Sequence, residues 1–120
     1  MKILLVDDDV FLRDMYAVKF KEHGDTVAGA RDGTDALRML SSESYDVVLT
    51  DMVMPGMTGS ELIKSIRQLG GGKSIKCIVL SNQSEDSDIA EAKKQGGDGY
   101  IVKADSIPSE VVEKVYALVS

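Results

Sequence analysis

The feature that most constrains this chain is a rhythm. Five short apolar runs, at positions 2–6, 26–30, 46–50, 75–80 and 100–102, alternate with longer stretches of helical periodicity. Apart from the second, they are apolar throughout rather than at every other position, which is how strands read when both faces of a parallel sheet are covered. The second is weaker, with Val27, Ala28 and Ala30, and suits a sheet edge. Strict alternation of such strands with helices implies right-handed crossovers and helices on both faces of the sheet. The expected fold is therefore α/β, doubly wound around five parallel strands.

The helical stretches carry their own punctuation. Phe11, Met15 and Val18 fall on one face of the first, with Leu12 and Tyr16 beside them, and Gly24 after His23 stops it. Thr34 is expected to cap the second, which carries Ala36, Leu37 and Leu40. "TGSE" at 58–61 is a capping box ahead of Leu62, Ile63, Ile66 and Leu69, and the glycines at 70–72 end that helix. Ser84 is expected to cap the fourth, whose only apolar residues are Ile89, Ala90 and Ala92, so low local stability is expected there. Pro108 opens the last, ahead of Val111, Val112, Val115, Leu118 and Val119.

Composition bounds the function classes. At 120 residues with 43% hydrophobic content, one domain over 1–120 with a real core is expected. A net charge of −6 argues against direct nucleic-acid binding. No stretch reads as a secretory signal, and no apolar run approaches the ~18 residues of a membrane span. The single cysteine, Cys77, excludes an internal disulfide and reads as a small buried hydrophobe. A cytoplasmic setting is the expectation.

Ligands of such sheets sit beyond the carboxyl ends of the strands, where strand order reverses. Strand one ends in Asp7 and Asp8, strand three in Asp51, strand four in Ser81 and strand five in Lys103. Strand two ends in "GARDG" with no comparable group, which puts it at the edge and gives the order 2-1-3-4-5. Each residue alone has an ordinary reading: Asp7–Asp9 as helix caps, Asp51 as a turn acid, Ser81 as a cap, Lys103 as a surface lysine. Their convergence on one sheet edge carries the inference. Three carboxylates within ~5 Å repel by ~3 kcal/mol per pair at an effective dielectric of 20. A hard divalent cation such as Mg²⁺ removes that cost, since it takes oxygen ligands, waters and phosphate. Metal, lysine, hydroxyl and a carboxylate nucleophile together describe phosphoryl transfer with an acyl phosphate intermediate.

The combination "LLVDDD", "DVVLTDMVMPGMTG", "VLS" and "GYIVK" closely resembles the receiver domain of two-component response regulators, as in chemotaxis regulators, along essentially the whole chain. The resemblance implies a flavodoxin-like (βα)5 fold. It implies that Asp51 is the phosphoacceptor and that Asp8 and Asp51 are direct ligands of Mg²⁺ (or Mn²⁺), with the Val53 backbone carbonyl, and Asp7 acting through water. It further implies that Ser81 is the switch hydroxyl, that Lys103 binds the phosphoryl oxygens, and that Tyr100 reports the switch on the face of helix four, strand five and helix five. Asp9 falls outside the acid pair and reads as a cap of the first helix. The implied partners are a sensor histidine kinase or histidine phosphotransfer protein and a downstream protein, with the chain a monomer or a phosphorylation-dependent dimer. His23, the only histidine, reads as a helix-end residue rather than a phosphodonor.

Two departures accompany the resemblance. Ala104 stands where the family usually has a proline after the lysine, which leaves the isomer of the Lys103–Ala104 peptide open. Asn82 is bulkier than the small residue usual there. Val53 and Gln83 offer no general base for a hydrolytic water, so a persistent phosphoryl group is expected. Two other readings stand beside this one. A haloacid-dehalogenase-like phosphatase would share the "DDDV" start, but needs an acidic motif on a strand after the lysine and usually a cap insertion. A pseudo-receiver would be an interaction module that is never phosphorylated.

Overall fold

The computed structural model describes residues 1–119. Five strands, β1 (Lys2–Val6), β2 (Thr26–Ala30), β3 (Val47–Thr50), β4 (Lys76–Ser81) and β5 (Gly99–Val102), pair in parallel in the order 2-1-3-4-5. Five helices, α1 (Val10–Glu22), α2 (Gly33–Ser42), α3 (Gly59–Arg67), α4 (Asp86–Lys94) and α5 (Pro108–Val119), alternate with them. Short 3₁₀ turns occupy Gly72–Ser74 and Lys103–Asp105. The strand runs and the strand order expected from the sequence are therefore present, with ends displaced by a residue or so.

Two apolar layers sandwich the sheet. Leu4, Val6, Val48, Cys77 and Val79 pack against Ala36 of α2, Leu62, Ile63 and Ile66 of α3, and Ala92 of α4. On the opposite face Ile3, Leu5, Leu49 and Ile78 pack against Tyr16 and Phe20 of α1 and Val111, Val112 and Val115 of α5. β1, β3 and β4 feed both layers, which is why they read as unbroken apolar runs. β5 differs from that reading: it is the second edge, and only Ile101 of it is buried.

Four local expectations need correction. On α1 the buried residues are Tyr16 and Phe20, whereas Phe11 is 88% exposed and Val18 52%. The helix carries apolar residues on two faces, and the sheet selects the one with Tyr16 and Phe20. α2 is capped by Asp32, not Thr34: its carboxylate accepts the Asp35 amide at 2.8 Å. The helix therefore starts two residues earlier, at Gly33, which lies under Met57, where an added Cβ would come within 2.5 Å of the sulfur. α4 lacks the expected Ser84 cap; Glu85 occupies the cap position without a side-chain bond. Gln83 is tied at its amide to Ser81 Oγ and at its carbonyl to the Tyr100 hydroxyl, which keeps the loop from turning into the helix before Asp86. α3 ends at Arg67, short of Leu69 and the glycines. The Arg67 guanidinium reaches the carbonyls of Gly72, Ile75 and Gly96 instead of continuing a helical surface.

Other sequence signals hold in detail. Thr58 and Glu61 form the reciprocal capping box of α3. Asp9 caps α1, accepting the Leu12 amide at 3.1 Å, and His23 occupies its C-cap with Gly24 at φ +104°. No cis peptide occurs among the described residues, so Lys103–Ala104 is trans.

Candidate functional site

The carboxyl edge of the sheet delivers four strand ends to one place. Backbone pairing extends past the strands: the Asp7 amide donates to Ala30 O and the Asp51 amide to Val6 O, which aligns the two aspartates side by side. Carboxylate oxygens of Asp7, Asp8 and Asp51 all lie within 4.8 Å of one another. Asp7 is buried, Asp51 half-buried and Asp8 exposed, so the cluster opens to solvent on the Asp8 side.

Lys103 enters from the end of β5. Its ammonium donates to Asp7 Oδ2 at 2.8 Å and to Asp51 Oδ2 at 3.4 Å, with its side chain only 8% exposed. Burial alone would pull the lysine pKa down. The hydrogen bond to Asp7 and the charges of Asp51 and Asp7 outweigh it, and the net shift is upward, so Lys103 stays charged. The three carboxylates and the one ammonium together carry a net formal charge of −2, which the Arg13 guanidinium on the Asp7 main-chain carbonyl offsets only in part. That donor set, all hard oxygen and under-neutralised, fits a divalent cation of the Mg²⁺ class.

Other atoms hold the acids in place. Asp51 Oδ1 accepts the Met52 amide at 2.7 Å, and Asp7 Oδ1 accepts the Asp9 amide at 2.9 Å. Ser81 is 1% exposed at the end of β4, its hydroxyl accepting the Gln83 amide at 3.2 Å. Tyr100 is half-buried; burial raises its hydroxyl pKa first, then the charge of Asp88, with a contact to Ser81 acting the other way. Val53 stands 58% exposed on the loop after Asp51.

Thus Asp7, Asp8, Asp51 and Lys103 are brought together as the sequence suggested, with Ser81 on the neighbouring strand. Three contributors were missed. Arg13, one turn into α1, donates to Asp7 O at 2.8 Å. Gly29 makes room for it: a Cβ there would stand 2.8 Å from Arg13 Nε. Gly59 lets α3 start directly beneath Asp51, where a Cβ would come within 2.4 Å of the Asp51 carbonyl oxygen. The signal for Gly59 was present in "TGSE", a glycine just inside a capping box; Arg13 and Gly29 are matched only through the fold.

Comparison with known proteins agrees with this geometry. The family described as response regulator receiver domain matches residues 3–115. Chemotaxis protein CheY of Pseudomonas aeruginosa is 36% identical over 123 aligned residues, covering 100% of this chain and 99% of that protein. The two-component response regulator PhoP of the same species is 33% identical over 103 residues, 86% of this chain but 45% of PhoP. Among solved structures, the chemotaxis response regulator CheY4 of Vibrio cholerae superimposes with a TM-score of 0.91 at 29% identity, covering 98% of this chain and 97% of that one. No helix among the described residues is long and apolar enough to cross a membrane. Matched along nearly its whole length by that family and by chemotaxis regulators alike, the chain belongs to the response regulator receiver domains of two-component signalling.

Proposed function

We propose that this chain is phosphorylated on Asp51, that Mg²⁺ supports the reaction, and that the chain itself supplies the catalysis while a histidine kinase, a phosphotransfer protein or a small acyl phosphate supplies the phosphoryl group. The observation that carries the reading is the Asp51 carboxylate ion-paired to Lys103 and sharing a 4.8 Å oxygen cluster with Asp7 and Asp8. Asp8 and Asp51 would hold the cation directly, with the Val53 carbonyl, and Asp7 through water. Bound there, Mg²⁺ would supply positive charge opposite Lys103 for the phosphoryl oxygens.

The chain's own residues do the rest. An Asp51 oxygen attacks phosphorus as the bond to the donor nitrogen or oxygen breaks, and the leaving group departs with that electron pair. Lys103 moves its hydrogen bonds from the carboxylates to a phosphoryl oxygen. The Ser81 hydroxyl turns from accepting the Gln83 amide to donating to the phosphoryl group, which slackens the β4–α4 loop. Tyr100 holds the same loop through the Gln83 carbonyl, so its ring follows. α4, with Ala92 as its only buried residue and no side-chain cap, has little to resist a shift. The phosphatase reading is not favoured, since the receiver-domain family matches residues 3–115.

Incubation with acetyl phosphate, followed by intact mass, tests the proposal. Wild type gains one phosphoryl group in Mg²⁺ and none in EDTA, and Asp51→Asn gains none. An Asp51→Asn chain labelled as fast as wild type would refute the assignment.

A further inference from the structure

Tyr16 and Phe20 stand one turn apart on the same buried face of α1, and only Tyr16 carries a polar side-chain atom. Phe20 is fully buried and fills the lower core. Tyr16, 5% exposed, lies nearer the carboxyl edge of the sheet and lines a cavity of about 10 Å³ together with Asp7, Arg13 and Asp51. That is about the space one water molecule needs, and the lining offers the several polar partners such a water requires. The Tyr16 hydroxyl makes no side-chain or backbone hydrogen bond among the described residues, and it is not sealed from water. Burial, and less so the charge of Asp7, raises its pKa against the pull of Lys103, so it remains a neutral hydroxyl able both to donate and to accept. A phenylalanine would fill the same apolar volume. The oxygen is the part that packing does not explain.

We propose that Tyr16 is a positioning residue of the phosphoryl-transfer site: through one water held in this cavity, its hydroxyl shares the Asp7 carboxylate with the Lys103 ammonium, holding the carboxylate in place as the ammonium leaves it. The inference rests on the phosphoacceptor reading of Asp51. Its physical logic lies in the exchange that Lys103 makes. When the ammonium leaves Asp7 for a phosphoryl oxygen, a carboxylate 10% exposed loses its partner, and a donor relay from Tyr16 replaces what it lost. Without that relay the ammonium is held more firmly by Asp7 and Asp7 is less well placed beside the cation.

The test is Tyr16→Phe in the full chain, alone and combined with Lys103→Gln. The single variant is expected to melt within ~2 °C of wild type in EDTA, since only one oxygen is removed. Its Mg²⁺ dissociation constant, by calorimetry, should rise about 3- to 10-fold, and its acetyl phosphate labelling rate at saturating Mg²⁺ should fall by a similar factor, the size of one hydrogen bond. In the Lys103→Gln background Tyr16→Phe should cause no further loss of rate. Unchanged Mg²⁺ affinity and rate, or the same fractional loss with and without Lys103, would reduce Tyr16 to a packing residue. If wild type takes no phosphoryl group, the Asp51 reading falls and the Mg²⁺ titration alone decides: weaker binding by the variant sustains the relay to Asp7, equal binding overturns it.

Discussion

Asp7 and Asp25 are both 7% exposed, and they close opposite ends of the same sheet. At the amino edge Asp25 is surrounded by donors. Its Oδ1 accepts the Met1 ammonium at 2.9 Å and the Tyr116 hydroxyl, and its Oδ2 faces His23 Nδ1 at 3.6 Å. The His23 ring lies over Tyr116 with centroids 4.3 Å apart, so α1, β2 and α5 meet around one carboxylate. At the carboxyl edge the ratio is reversed, with three carboxylates around one ammonium. Burial and residue type are equal at the two ends; charge balance is not. At Asp25 the donors converge on Oδ1 and leave the buried Oδ2 with only the more distant His23. Yet one carboxylate there meets an ammonium and a hydroxyl and ties elements together; carboxylates in excess leave charge that a cation can balance.

The largest expected effect breaks the comparison at the amino edge. Burial pushes the Asp25 carboxyl up, but the Tyr116 hydroxyl, the Met1 ammonium and His23 together carry it below the ordinary carboxylate range. Its charged form therefore stabilises the fold, and Asp25→Ala should cost about 1.5–3 kcal/mol by removing the hydrogen bonds this carboxylate accepts from partly exposed donors. Because the folded pKa lies below the unfolded one, that contribution is present in full above pH ~4 and is lost as pH falls through the folded value. Urea melts at pH 7 and pH 3 should show the gap between wild type and variant wide at the first and narrowed at the second. A gap that persists at pH 3 would mean packing, not charge, holds this corner.

The carboxyl edge should answer in the opposite direction. Asp8 is exposed, so its repulsion with Asp7 and Asp51 is screened by water and amounts to about 1 kcal/mol. Asp8→Asn should gain about that much stability in EDTA. Mg²⁺ at a hundred times its dissociation constant should stabilise wild type by about 2.7 kcal/mol and do far less for Asp8→Asn. Thermal melting of both in EDTA and in Mg²⁺ checks this. An Asp8→Asn chain that melts below wild type in EDTA would make the cluster structural and erase the contrast between the two edges.

How much of this was legible in the sequence follows from the same contrast. The carboxyl edge was readable because strand ends are fixed by apolar runs: once "ILLV" and "VVLT" are buried, Asp7, Asp8 and Asp51 have nowhere else to go. Lys103 and Ser81 followed by the same rule. The amino-edge cluster was not readable, since Asp25, His23 and Tyr116 are assembled by helix packing rather than by strand ends. The choice of face on α1 failed for a related reason. Phe11, Met15 and Val18 form as good an apolar stripe as Tyr16 and Phe20, and only docking on the sheet selects between them. Arg13 with Gly29 is likewise a pair that no spacing announces.

The smallest expected effect sharpens the contrast within three consecutive residues. Asp9 adjoins the cluster in sequence, yet its carboxylate turns to the Leu12 amide as the cap of α1. What it gives the pocket is its backbone N–H, which Asp7 Oδ1 accepts at 2.9 Å. Asparagine keeps both contributions, for its amide oxygen caps as well as a carboxylate does and its main chain is unchanged. Asp9→Asn should therefore shift stability in EDTA by only about 0.3 kcal/mol and retain the full Mg²⁺ response, while Asp9→Ala should lose about 1 kcal/mol with the cap and still respond to Mg²⁺. The neighbouring Asp8→Asn is expected to do the reverse, gaining stability and losing the response. Melting the three variants side by side in EDTA and Mg²⁺ reads the difference directly. If Asp9→Asn also lost its Mg²⁺ shift, the third acid would belong to the cation seat and the cap would be incidental.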